Sequence, residues 1–162
     1  MSDNQLKSLR EDLGLSREDC AVLLGLDGPE SLRQMEDGAT ALPDAHLCKL
    51  ATLNAEVETA VLAEVEYFTQ GAERDIVLMR FMSDDEFALY EPDLFERFDH
   101  LVQLHGAFIT RAKRAIERLG GEVTVAFMDS EFYEAWLGVN DFDDSRDLRV
   151  AWARQQIRGL TK

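Results

Sequence analysis

The chain has 162 residues, 46% of them hydrophobic, so it can bury a real core as one domain or as a small domain with a larger one, and intrinsic disorder is excluded. Its 32 Asp and Glu against 17 Lys and Arg leave a formal net charge of −15, which argues against general affinity for nucleic acid or anionic membrane surfaces. The deficit is spread along the chain: residues 1–53 hold five Lys or Arg against ten Asp or Glu.

The N-terminus, MSDNQLKSLRED, is charged where a secretory signal needs an apolar run. No apolar run elsewhere is long enough to span a bilayer, so a protein without a membrane partner is expected. Cys20 and Cys48 fall on helical apolar faces and form no CxxC spacing, which points to a reduced, cytoplasmic setting.

Asn4 to Leu13 places Leu6, Leu9 and Leu13 on one helical face, and Gly14 ends that helix. Ser16 can cap a second helix carrying Cys20, Leu23 and Leu24, closed by Gly25. Leu26-Asp27-Gly28-Pro29 is turn chemistry, and Pro29 suits the first position of a third helix that Gly38 stops. In that helix Leu32 and Met35 face inward, while Glu30, Arg33, Gln34 and Asp37 recur as a polar outward stripe. Pro43-Asp44 opens a fourth helix with Leu47, Leu50 and Leu53 inward.

From Asn54 to Gln70 neither Gly nor Pro intervenes, so a helix leads away from this unit and can continue the fourth. Residues 76–82, IVLMRFM, and 123–128, VTVAFM, read as short strands that must pair to satisfy their backbones, in an undetermined direction. They begin an apparent internal repeat in which Phe81-Met82 matches Phe127-Met128 and Tyr90 matches Trp136, each strand leading to a capped helix. Ser83 with Glu86 fits a capping box, and Asp129 or Ser130 can cap the second copy. Pro92 to Leu119 reads as one long helix with a broad apolar stripe, and Asp144 or Ser145 caps a last helix with Leu148, Trp152 and Ile157 inward.

The run LKSLREDLGLSREDCAVLLG, followed by LRQMEDG and Pro43, resembles the repressor-like helix-turn-helix domains of the Cro/CI (Xre) type. The resemblance covers residues 5 to about 53 and rests on Lys7, Arg10, Gly14-Leu15-Ser16, Ala21, Gly25, Glu36 and Gly38. Gly25 to Gly38 is one residue longer than usual, a variation similar to the YdiL-like group. What the resemblance implies is an Arg10–Glu36 structural pair and DNA backbone contacts from Lys7, Arg10 and Arg17. The second helix of the motif would enter the major groove with Glu30, Ser31, Arg33 and Gln34 at base edges: Arg33 suits guanine, Gln34 adenine, and Glu30 can accept from cytosine. Ala39-Thr40-Ala41-Leu42 stands where the family often has Lys or Arg, which removes one expected phosphate contact.

No other constellation carries chemistry. His100 and His105 are five residues apart, a spacing that does not put two imidazoles on one helical face, so no metal is expected. Asp141 to Ser145 starts like a calcium loop, but Arg146 stands where its turn needs Gly, and Asp84-Asp85-Glu86 reads as a helix start favoured by the dipole. Without a nucleophile elbow, phosphate loop or HExxH, neither enzymatic activity nor a cofactor is expected. The fold expected is α+β and mostly α: a helix-turn-helix domain over 1–55, then a helical domain with a two-stranded element over 56–162. The expected function is that of a homodimeric, DNA-binding transcriptional regulator with duplex DNA as partner. The alternative is a protein-association module that keeps the repressor-like fold.

Overall fold

The computed structural model describes residues 3–160. Helices α1 (Asp3–Asp12), α2 (Arg17–Leu23) and α3 (Pro29–Glu36) are short and end by the same device. Gly14, Gly25 and Gly38 follow them at φ of 70°, 67° and 74°, a region that a residue without Cβ enters freely. The N–H of the next residue then reaches back to a helical carbonyl: Leu15 to Arg10 at 3.0 Å, Leu26 to Ala21 at 2.9 Å, Ala39 to Gln34 at 2.8 Å. Ser16 caps α2 by accepting from the Asp19 N–H at 3.0 Å.

Helix α4 (Asp44–Gln70) is continuous, so the expected fourth helix and the segment after it are one element, and the expected boundary at residue 55 falls inside it. Its buried side carries Leu50, Leu53, Val57, Ala60, Val61 and Phe68. Then come β1 (Asp75–Arg80), α5 (Asp84–Tyr90), α6 (Pro92–Arg97), α7 (Val102–Arg118), β2 (Glu122–Phe127), α8 (Ser130–Asn140) and α9 (Arg146–Leu160). The fold is mostly helical, with one two-stranded element. The strands pair in parallel, Asp75 opposite Glu122 through Arg80 opposite Phe127. Parallel pairing demands a crossover, which α5 to α7 provide. Helix α7 packs on both strands and along α4, and α9 packs on β1. One continuous apolar core runs from Leu6 to Ala153, and α4 is common to both ends of it.

Two expectations need correction. Pro92–Leu119 is not a single helix: α6 ends at Arg97, and Asp99 and His100 take φ of 52° and 64° before α7 begins. The reversal buries Phe98 completely and sets Phe87 edge-on to Phe95 at 5.3 Å, contacts that a straight rod would carry away from the core. Distant groups hold the break: Lys49 pairs with Asp99 at 3.1 Å, and Asp84 accepts from the Val102 N–H at 2.8 Å. The second correction concerns the repeat. Both copies are a strand followed by a capped helix, with Ser83 accepting from the Glu86 N–H and Asp129 from the Phe132 N–H. The sheet, however, aligns them one residue away from the sequence match, so Phe81 is buried where Phe127 is exposed, and Met82 is exposed where Met128 is buried.

Candidate functional site

Helix α3 is the element that the resemblance implies would meet the bases of DNA. Pro29 supplies its first turn with a preset φ, and Gly28 at φ 143° brings the chain into it. Leu32 is fully buried, Met35 is half-buried against the core, and Glu30, Arg33 and Asp37 are exposed, with Ser31 and Gln34 half-buried beside them.

Behind α3 lies a buried ion cluster. Glu36, only 6% exposed, accepts from Arg10 Nε at 2.6 Å through one oxygen and from Arg17 Nε at 2.8 Å through the other. Arg10 also donates to the Leu15 carbonyl at 2.9 Å and to Glu11 at 3.3 Å. Burial pushes the Glu36 carboxyl up, but the hydrogen bonds from Arg10 and then Arg17 outweigh it and hold the group below the ordinary carboxylate range. The hydrogen bond to Glu36 likewise raises the pKa of Arg17. These bonds tie α1, α2 and α3 together and fix how α3 presents its outer face.

On that face Arg33 is already engaged. Its Nε and Nη2 grip both oxygens of Glu30 at 2.9 and 2.7 Å, and Nη1 donates to Asp37 at 2.9 Å. Gln34 Nε2 lies 3.5 Å from Glu30, at the edge of hydrogen-bond range. Arg33 lowers the pKa of Glu30, and Glu30 in turn raises that of Arg33. One arginine between two carboxylates leaves the face with a net negative charge.

The expected contact residues are therefore placed unequally. Glu30, Ser31, Arg33 and Gln34 share one accessible face. Arg10, expected both as a phosphate contact and as the partner of Glu36, is 7% exposed and is positioned for the second role alone. Arg17 is half-exposed and shared with Glu36, and exposed Lys7 has no ion-pair partner among the described residues. Sequence reasoning missed the Glu30–Arg33–Asp37 clamp, although its i, i+3 and i+4 spacings carry that signal.

The other candidates resolve into architecture. His105 is enclosed by Phe81, Phe87 and Phe108, with Nδ1 3.2 Å from Arg80 Nη1, while His100 pairs with Glu96 on the surface. Arg146 binds both oxygens of Glu64, and Asp144 accepts from Tyr133 at 2.7 Å and from Arg149 at 2.8 Å, which ties α9 to α4 and α8. Among the described residues no group of three or more His, Cys, Asp or Glu is arranged to hold a metal, and no helix is long and apolar enough to cross a membrane. No protein-family model matches this chain, and no curated protein matches it.

Proposed function

We propose that the protein is a non-catalytic, cytoplasmic transcriptional regulator that binds specific duplex DNA as a homodimer. In this reading α3 lies in the major groove, with Glu30, Ser31, Arg33 and Gln34 at base edges and Lys7 and Arg17 at phosphates. The observation that carries it is the accessible polar face of α3, braced from behind by the Arg10–Glu36–Arg17 cluster, because readout needs side chains on a rigid, registered helix. Arg33 must leave Glu30 and Asp37 to reach a guanine, so only a site that replaces those bonds competes. Nonspecific affinity is correspondingly weak.

A second reading, association with a protein, is favoured by the same clamp: the exposed face is net acidic and suits a basic partner surface. Selection from a random duplex library at low salt separates the two. The DNA reading expects an enriched site whose binding falls with salt as for about two to four released ions per dimer, at roughly 0.9 each. Arg33→Ala should relax preference at one base pair by roughly 5- to 150-fold, while Arg17→Ala weakens all sequences alike. Absence of any enriched sequence, together with a defined protein partner lost on changing Glu30 and Arg33, replaces DNA binding with association.

A further inference from the structure

The two edges of the sheet are treated differently. In a parallel ladder alternate residues turn both backbone groups to the same side. Glu122 N–H donates to the Arg74 carbonyl at 2.7 Å and Met128 N–H to the Arg80 carbonyl at 2.9 Å, so Val123, Val125 and Phe127 turn theirs away from β1. The opposite edge, along β1, is covered by α9, with Arg154 donating to the Asp75 carbonyl at 3.0 Å. On the β2 edge Lys113 Nζ meets the Val123 carbonyl at 2.8 Å, and among the described residues the groups of Val125 and Phe127 have no partner. An unpaired edge is a template for another strand.

Beside this edge runs a groove of about 410 Å³ between β2 and α7, lined by Val125, Phe127, Ile109, Thr110, Lys113 and Arg114. Phe127 is 60% exposed at its margin. We infer that the edge of β2 pairs antiparallel with β2 of a second copy, about a two-fold axis at Val125, joining the two sheets into one of four strands.

The occupant follows from self-complementarity. In this register Val125 meets its own copy and Val123 meets the second copy's Phe127, so every outward N–H faces an outward C=O, that of Val123 accepting through its second lone pair beside Lys113, and the apolar side chains share the groove side. On the other face Thr124 lies across from Ala126 and Glu122 across from Met128, so no like charges oppose. The register also brings the second copy's Asp129 to the end of the edge where Lys113 stands, its ammonium shared between Glu117 and the Val123 carbonyl. The pairing goes beyond the DNA reading and stands without it, because it uses no residue of α3.

The test is the mass of the full chain in solution, with no DNA present. The wild type should sediment as a dimer, and because each copy carries −15, added salt should tighten it, the opposite of its effect on DNA binding. Phe127→Lys should weaken association by about tenfold or more, with an unchanged thermal midpoint at dilutions where both chains are monomeric. In a Cys48→Ser background, Val125→Cys should form an intermolecular disulfide on oxidation and Thr124→Cys should not, since residues paired across the axis lie within disulfide range. A monomeric wild type overturns the proposal. So does a dimer that Phe127→Lys leaves intact and Val125→Cys does not cross-link.

Discussion

Glu36 shows how one acid becomes structural. Its neighbours in sequence, Met35 and Asp37, point one inward and one outward, and only the two guanidinium groups make its burial tolerable. Glu36→Ala leaves Arg10 buried without its main carboxylate and should destabilise the protein by about 3 kcal/mol at neutral pH, read by urea unfolding. Because the folded pKa of Glu36 is lowered, its contribution is present above the unfolded carboxylate value and lost as pH falls through the folded one. The gap between wild type and variant should therefore narrow below about pH 4. The Arg10–Glu36 pair was legible because the resemblance set both positions across the motif. That Arg33 is occupied by Glu30 and Asp37 was legible only from spacing.

At the scale of the element, α7 is shaped by its contact with the end of β1. A Cβ on Gly106 would stand 2.5 Å from Arg80 Nη2 and 3.0 Å from Cζ. That guanidinium cannot easily retreat, since it donates to the Phe81 and Val102 carbonyls and meets His105. Gly106→Ala should accordingly lower stability by about 1–3 kcal/mol, outweighing the gain in helix propensity. Exposed Gly138 in α8 has nothing within 4 Å of such a Cβ, and Gly138→Ala should stabilise by about 0.5–1 kcal/mol. Parallel thermal melts of the two variants check the contrast. The break before α7 was invisible in sequence because Pro92–Leu119 is apolar at helical spacing throughout, and Lys49 and Asp84, which hold the turn, are distant in the chain.

The whole molecule carries a pH dependence set by its aromatic centre. Burial, and then the charge on Arg80, push the pKa of His105 down to about 3, so the folded protein holds it neutral. Unfolded, it takes a proton near pH 6.5, and its contribution is complete above that value and declines by about 1.4 kcal/mol per unit as pH falls toward the folded value. Burial raises the pKa of Glu91, which gives a contribution of opposite sign nearer the carboxylate range. The window that isolates His105 is therefore about pH 6.5 to 5. Stability of the wild type should drop across it, and His105→Leu should flatten that drop, measured by unfolding at several pH values.

By itself the sequence determined the helix boundaries around residues 3–43, the mostly helical class, the two strands and the capping of their following helices. Those features rest on local chemistry: glycines with positive φ, Ser and Asp caps, and apolar spacing within one segment. Only the tertiary structure decided the parallel direction and register of the sheet, the continuity of α4, the turn before α7 and the open edge of β2. Each of these depends on groups far apart in sequence meeting in one core, where burial and backbone satisfaction outweigh the preference of any single segment.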